Sequence, residues 1–329
     1  MHKGASASET HVAEAARDAL VRGNAVDAVV TGVLMAAAEA PGVLLGPVQM
    51  LIGGAGAGLI AIDGRVRQPG RGAPRPRGFV AGEVIPDAAR VGVPALPGAL
   101  ATALASLGTR ALPRATAPAI ERARARCPER AAMLASLARR GAPALVEDSV
   151  AGELTAAAGR GAQGLLTIDD LAEVRPGLVR CAERSLGPSG VLTVPWKSVG
   201  PYDGACTHVV VAADGRGLVA VACYEVPADG LPVPALGLVA PFAAAPVLRG
   251  KPRVAPGEPR PSCAPVALRA RKGVVDLAIA IAMAAQAEEA LASLLDAIAS
   301  EPTFAAALAT VTAGRAVGIS AARDVVKVL

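Results

Sequence analysis

Aromatic residues are scarce in this chain, which has one Trp, two Tyr and three Phe among 329 residues. Proteins that bind single-stranded nucleic acid combine a basic groove with aromatic side chains on which bases stack. The net charge of +5 is spread thinly, so we expect no nucleic-acid partner. The exception to that even spread is a loop that carries five arginines, which either is solvated or holds an acidic ligand: Arg65, Arg67, Arg71, Arg75 and Arg77.

Cysteine is also limited, with five residues that are odd in number and far apart in the sequence. This spacing favours neither a disulfide framework nor a zinc ribbon. It predicts reduced thiols in a cytoplasmic protein, with no structural metal. The cysteines are Cys127, Cys181, Cys206, Cys223 and Cys263.

No segment has the pattern of a signal peptide or a membrane-spanning helix. The N-terminus lacks a charged region followed by an apolar core. The stretch 40–62 has no charge and is long enough to span a bilayer, but its two prolines and six glycines would expose backbone polar groups to lipid. We therefore expect loop and strand there, and no membrane partner.

The glycine cluster at 53–58 superficially resembles a dinucleotide-binding fingerprint. It precedes the strand predicted at 59–62 instead of joining a strand to a helix, so its context excludes phosphate binding. We expect no cofactor, and interpret the cluster as backbone that packs closely against its neighbours.

Helix signals dominate the first half of the chain. Ser6 and Glu9 have capping-box spacing ahead of a helix that runs to about Arg22, and Asn24 caps a second, apolar helix to about Ala40. Thr167 caps a short helix after a predicted strand near 165.

Most strand signals lie in the second half. Strands are predicted at 266–270, 317–319 and 325–329, with helices at about 277–300 and from Thr303 between them. The order of elements predicts an α+β fold with sheet inside and helices outside.

The stretch from Asp203 to His208 draws attention because a thiol, Cys206, opens a β-branched apolar strand. The turn Asp214-Gly215 returns that strand into a second one, so a hairpin is predicted. Cys206 and His208 are two residues apart, which places their side chains on the same face of the strand. The alternatives are a buried core cysteine and a histidine that only packs or forms hydrogen bonds.

Several segments, in this order, resemble gamma-glutamyltranspeptidases of the N-terminal nucleophile hydrolase superfamily. The similarity is patchy but spans most of the chain. It rests on residues 23–28, the glycine run before the strand at 59–62, 93–98, 117–120, 164–171, Cys206-Thr207-His208 with Asp214-Gly215, and 260–265.

This resemblance implies a four-layer αββα sandwich and a chain that cuts itself before its nucleophile. The cut would fall between Ala205 and Cys206, giving a helix-rich part, 1–205, and a part that begins at the nucleophile, 206–329, both in one domain. The family usually has threonine where this chain has Cys206. A thiol preserves acyl transfer through a thioester.

The resemblance also suggests residues that hold the substrate. Arg71 falls where the family keeps an arginine for the substrate carboxylate, although Arg67 or Arg75 could take that place. Ser262 falls at a family serine pair, shortened here to Ser262-Cys263. Thr207 supplies a hydroxyl beside the nucleophile.

On the second hairpin strand, Tyr224 and Glu225 replace the family's polar residues and complete the predicted substrate-binding set. Glu225 is either an acid or base of the site or a solvated acid. Cys223 and Cys263 either line the same pocket or pack in the core.

Two departures from the family keep other functions open. The glycine pair of the family's oxyanion hole is missing after the strand at 266–270, where the chain is predicted to run through Gly273 directly into a helix. The chain is also much shorter than the family norm.

We expect an amide hydrolase or acyltransferase that acts on a small molecule with an amide or thioester, with a specialised metabolite as the expected substrate class. The alternatives are a degenerate member that serves as a binding or assembly partner, and an uncleaved enzyme that uses Cys206 and His208. Association into a homo-oligomer is left open.

Overall fold

The computed structural model describes residues 2–54, 56–74, 76, 78–186, 189–197, 205–283, 287–300, 315–320 and 326–328. The helices are α1 Thr10–Arg22, α2 Ala25–Glu39, α3 Leu96–Leu107, α4 Leu112–Arg124, α5 Pro128–Arg140, α6 Asp148–Ala158, α7 Ile168–Glu173 and α8 Ala287–Ser300. The strands are β1 Lys3–Ala7, β2 Val48–Gly53, β3 Leu59–Gly64, β4 Gly177–Arg180, β5 Ala182–Leu186, β6 Ser189–Thr193, β7 Cys206–Asp214, β8 Val219–Val226, β9 Gly230–Val233, β10 Leu238–Pro241, β11 Val266–Arg271, β12 Val274–Ala282, β13 Arg315–Ser320 and β14 Val326–Val328.

Two antiparallel sheets organise these elements. The first sheet has the order β1-β7-β8-β2-β3-β4, and the second has the order β14-β13-β12-β11-β6-β5. β9 and β10 form a separate pair. The prediction of a mixed helix and sheet protein is confirmed.

Both faces of the first sheet pack against apolar clusters, as the strand β7 shows. Val209 and Val211 pack in a cluster shared with β11, β12 and β13 of the second sheet, whereas Val210 and Ala212 pack in a cluster shared with α1 and α2. On the far side of the second sheet, α8 contacts β12. Because side chains alternate along a strand, both faces of β7 must be apolar, as its sequence is.

The helix α2 is buried along most of its length and is anchored at its N-terminus. The Asn24 side chain accepts from the backbone N–H groups of Val26 and Asp27, and the Asp27 carboxylate accepts from the Asn24 N–H at 2.8 Å. The capping predicted at Asn24 is confirmed. The same carboxylate, fully buried, also accepts from the backbone N–H groups of Thr109 and Arg110 and from the Thr109 hydroxyl.

Three predicted elements are wrong, and each error has a physical reason. Ser6 caps no helix: it lies in β1, paired opposite Val211 of β7, and α1 starts at Thr10. No strand forms near 165, although Thr167 does cap α7. The run 274–282 is the strand β12, and α8 begins only at Ala287.

The error at β12 follows from its burial on both faces. Leu277, Ile279 and Ile281 face the α8 side, and the intervening alanines face the first sheet. A fully buried apolar run has no polar face, so periodicity cannot distinguish strand from helix. The helix predicted from Thr303 lies outside the described residues.

The uncharged stretch 40–62 contributes β2 and most of β3 to the first sheet. Within it, Gly54 has φ of +93°, and a Cβ at that position would lie 2.0 Å from the carbonyl oxygen of Gly217. This supports close backbone packing for that glycine, but a Cβ at Gly56 or Gly58 would meet no atom within 4 Å, so the interpretation is wrong for those two. Across the described ranges, no helix combines the length and the apolar character needed to cross a bilayer.

Replacing Asp27 by alanine should destabilise the fold by about 3 kcal/mol, because the buried N–H groups of Thr109 and Arg110 lose their acceptor. Urea unfolding measures the loss. Asp18→Ala, on the exposed side of α1, is the control and should change stability by less than about 0.5 kcal/mol. Equal effects of the two substitutions would contradict the anchoring role.

Candidate active site

The register of the β7–β8 hairpin determines which residues share each side of the first sheet. Cys206 lies opposite Val226, Thr207 opposite Glu225, and His208 opposite Tyr224. His208 and Tyr224 lie on the side that carries α1 and α2, and Cys206 shares that side because it is two residues from His208. The predicted hairpin is confirmed.

Cys206 is the first residue of β7 and is exposed. The interpretation as a buried core cysteine is therefore wrong. An exposed thiol at a strand end can meet a substrate without rearrangement of the core, which suits a nucleophile. The preceding Ala205 is half-buried.

On the helix side, His208 and Tyr224 contact the start of α1. Their rings stack at a centroid distance of 5.8 Å and an interplanar angle of 19°. The Tyr224 hydroxyl donates to Glu9 Oε2 at 3.0 Å. His208 Nδ1 lies 3.3 Å from Ser8 Oγ and 3.6 Å from Glu9 Oε2. Ser8 and Glu9 were not predicted as site residues, although Glu9 did belong to the predicted capping pattern.

The surroundings of His208 favour its neutral form. Burial lowers the pKa of the imidazole most, Glu9 opposes this, and the nearby His11 and Arg315 add to the lowering. Burial, together with Glu9, raises the pKa of Tyr224 well above its ordinary value. At neutral pH the site therefore contains a neutral imidazole beside a protonated phenol.

On the other side of the first sheet, a buried polar group is centred on Gln49 of β2. Gln49 Nε2 donates to Ser262 Oγ at 2.8 Å and to the Cys263 carbonyl at 2.7 Å. The Trp196 indole N–H donates to Gln49 Oε1, and the Cys263 N–H donates to Glu225 Oε1 at 3.0 Å. Sequence reasoning missed Gln49, since a single glutamine in an apolar strand has no motif.

Three predicted substrate-binding residues lie beneath the surface, Ser262 and Glu225 on this side of the sheet and Tyr224 on the other. Ser262 is fully buried, and Tyr224 and Glu225 are each 1% exposed. Glu225 is therefore not a solvated acid. The predicted contact of these residues with a substrate stays a prediction. Thr207 is also buried on the second-sheet side, and its hydroxyl has no hydrogen-bond partner within the described part of the chain.

The remaining cysteines differ from Cys206 in their surroundings. Cys181, Cys223 and Cys263 are buried, and Cys127 is half-buried. Burial raises the pKa of Cys181 to about 11. Burial, with Cys263 and Glu225 nearby, raises the pKa of Cys223 well above its ordinary value. Core packing is thus the role that the structure gives these buried thiols.

The arginine loop is built around internal ion pairs. Arg67 is 8% exposed and pairs with Asp63 at 3.2 Å, so it is not available as a substrate clamp. Arg71 pairs with Glu173 at 2.9 Å but keeps its side chain 39% exposed. Both line a cavity of about 260 Å³, and no described contact joins Arg71 to Cys206. Arg75 and Arg77 lie outside the described residues.

A second cavity, of about 440 Å³, is lined by Phe79, Leu165, Val247 and Arg160 among others. Cys206 is not part of its lining. Among the described residues, no three His, Cys, Asp or Glu side chains are grouped so that they could hold a metal ion.

The hairpin of β11 and β12 and the residue that follows β12 correct one prediction and reach the strand of Cys206. Gly273 lies in the turn between β11 and β12, where Lys272 and Gly273 both have positive φ, as tight hairpins require. The prediction that the chain passes from Gly273 directly into a helix is therefore wrong, because β12 begins at Val274. At the end of β12, the Met283 N–H donates to the Thr207 carbonyl at 2.9 Å, with φ of +58° at Met283.

Comparison with solved structures identifies the fold. Cephalosporin acylase from Bacillus halodurans matches 96% of this chain and 91% of its own, with a TM-score of 0.75 and 16% identity. The protein LmbA2991HD matches 93% of this chain and 84% of its own, with a TM-score of 0.74 and 14% identity. No family model matches the chain, and no curated protein is significantly similar in sequence.

The chain therefore has the fold of cephalosporin acylase and of LmbA2991HD. The resemblance predicted from the sequence is confirmed at the level of the fold. Gamma-glutamyltranspeptidase from Pseudomonas nitroreducens, complexed with L-DON, also matches, over 57% of this chain and 69% of its own, with a TM-score of 0.49 and 21% identity.

In the folded protein, iodoacetamide should label Cys206 long before the buried thiols. At a pKa of about 11, roughly one Cys181 thiol in 1,000 is ionised at pH 8, and burial also blocks the reagent. Peptide mass spectrometry after timed labelling measures the order. Cys206→Ala should remove the fast phase, and fast labelling of Cys181 or Cys223 would contradict the assigned burial.

His208 should make the fold lose stability as the pH falls. Its pKa is lower in the folded chain than the ordinary 6.5, so below pH 6.5 the unfolded chain binds more protons and becomes favoured. His208→Asn should flatten the dependence of the urea midpoint on pH between 7.5 and 5. Parallel curves for the two proteins would show that His208 does not contribute this dependence.

Proposed function

We propose that this chain is an amide hydrolase or acyltransferase in which Cys206 is the nucleophile. The observation that supports it best is an exposed thiol at the first residue of β7, in a fold shared with cephalosporin acylase. The substrate is a small molecule with an amide or thioester carbonyl, and we propose a specialised metabolite. The chemistry needs no cofactor, nucleic acid or membrane.

We further propose that the chain activates itself by cutting between Ala205 and Cys206. The thiolate attacks the Ala205 carbonyl carbon, the S–C bond forms, the C–N bond breaks, and the nitrogen takes a proton. Water then hydrolyses the thioester, which releases a carboxylate at Ala205 and an α-amine at Cys206. An α-amine has a pKa near 8 and can act as general base for the adjacent thiol in each later turnover.

The two parts, 1–205 and 206–329, would remain one domain after the cut. β7 is hydrogen-bonded to β1 from the first part and to β8 from the second, and both sheets combine strands of the two parts. We propose that helices on one side, the two sheets and α8 on the other form the four layers of an αββα sandwich.

In the acyl-transfer reaction, Arg71 is our candidate for holding a substrate carboxylate, because its guanidinium keeps exposed area beside a cavity. Ser262, Tyr224 and Glu225 are proposed to shape the site from beneath. All five cysteines are free thiols, which is compatible with a reducing, cytoplasmic location.

Intact mass under denaturing, reducing conditions tests the proposal most directly. The wild type should give two fragments that meet between Ala205 and Cys206, whereas Cys206→Ala should stay whole because the attacking atom is absent. Cys127→Ala is the matched control, since it removes a half-buried thiol elsewhere and should leave cleavage unchanged. Cleaved protein should then hydrolyse members of an amide and thioester panel, and Cys206→Ala should lose this activity.

Two other outcomes would redirect the assignment. An intact wild type that still turns over the panel would favour the uncleaved thiol enzyme, which is supported by Cys206 and His208 on one face of β7. An intact wild type without turnover would sink the enzyme proposal and leave a binding or assembly partner.

A further inference from the structure

Glu9 is a titratable residue beside His208 and Tyr224 that the proposed mechanism does not use. It occupies the N-cap position of α1, yet its side chain makes no capping hydrogen bond. Its carboxylate instead accepts from the Tyr224 hydroxyl at 3.0 Å and lies 3.6 Å from His208 Nδ1. The helix thus begins with a carboxylate that is directed at the site.

We propose that Glu9 is a positioning residue that makes His208 the proton acceptor for the Cys206 thiol. This inference rests on the proposed function of Cys206. It names the base that acts before the chain is cut, when the α-amine of Cys206 is still part of a peptide bond.

The geometry specifies how the imidazole is used. Nδ1 faces Glu9 and Ser8, and we assign the ring proton to Nδ1, which leaves the lone pair on Nε2. Stacking against Tyr224 fixes the plane of the ring. Cys206 is two residues earlier on the same face of β7, roughly 7 Å away along the strand, and we propose that its thiol turns toward this ring.

The charges around His208 show why the carboxylate matters. α1 contributes Glu9 and His11, β8 contributes Tyr224, and β13 contributes Arg315, whose guanidinium donates to the Ser8 carbonyl at 2.6 Å. Among these groups Glu9 is the acid that stabilises an imidazolium, while His11, Arg315 and burial oppose it.

The attack and the breakage of the C–N bond need no proton donor or acceptor other than His208. The thiol proton moves to His208 Nε2 as Sγ attacks the carbonyl carbon, and Glu9 stabilises the imidazolium that forms. As the C–N bond breaks, the same proton passes to the departing nitrogen, and His208 returns to its neutral form.

The test compares Glu9→Gln with the wild type in the rate at which iodoacetamide alkylates Cys206 between pH 6 and 9, measured by intact mass on chains that are still uncut. Cys127 in the same chain is the internal reference. Glutamine keeps an acceptor for the Tyr224 hydroxyl but carries no charge. We expect a rate about tenfold lower at pH 7, with the pH profile shifted upward. Glu14→Gln, on the exposed side of α1, is the matched control and should leave the rate unchanged.

A double variant separates positioning from general structural support. If Glu9 acts through His208, Glu9→Gln should have no further effect on the alkylation rate in a His208→Asn background. An unchanged Cys206 rate in Glu9→Gln would overturn the inference, and so would an equal loss with and without His208. If Glu9→Gln also accelerates labelling of Cys223, a sign of unfolding, Glu9→Asp replaces it and should restore most of the rate.

The same proteins distinguish this inference from the proposed function. A Glu9-dependent thiol in a chain that neither cuts itself nor turns over substrate supports the inference and refutes the function. Cleavage and turnover, together with a thiol that is Glu9-independent in the uncut chain, refute the inference alone.

Discussion

The pairing of β7 on both of its edges is the constraint on which the candidate site depends. β1 and β8 hold its backbone, so the face to which each side chain points is fixed. A slip of one residue would move Cys206 and His208 to the second-sheet side and bring Thr207 to the helix side. The register therefore separates the face that carries the exposed Cys206 from a closed polar one.

The closed face is organised by buried polar groups that find partners from distant parts of the chain. Gln49 connects β2 to Ser262, Cys263 and Trp196, so the segment after β10 and the segment after β6 are held against the first sheet. Asp27 in the same way holds the segment after α3, at Thr109 and Arg110, against the start of α2. Buried polar groups are costly unless they are satisfied, so such networks specify one arrangement of the surrounding backbone.

Elements with strong local signals could be predicted from the sequence. The Asn24 cap, the Thr167 cap and the Asp214-Gly215 hairpin each depend on residues within a few positions of one another. The sequence does not predict β12, because burial on both faces removes the alternation of apolar and polar residues that identifies a strand. Most contacts of the site were also out of reach: Ser8 is 200 residues from His208, and Gln49 is 213 residues from Ser262. Only the folded topology brings such pairs together.

Trp196 is the sole tryptophan of the chain, and it lies at the edge of the Gln49 group. Its ring is covered by the Arg65 guanidinium, 4.8 Å from the ring centroid. Indole emission depends on the polarity and charge around the ring, and here all of it originates from one place between the arginine loop and the closed face of the first sheet. The intrinsic fluorescence of the protein therefore reports on the surroundings of Gln49 and Arg65 without an added fluorophore.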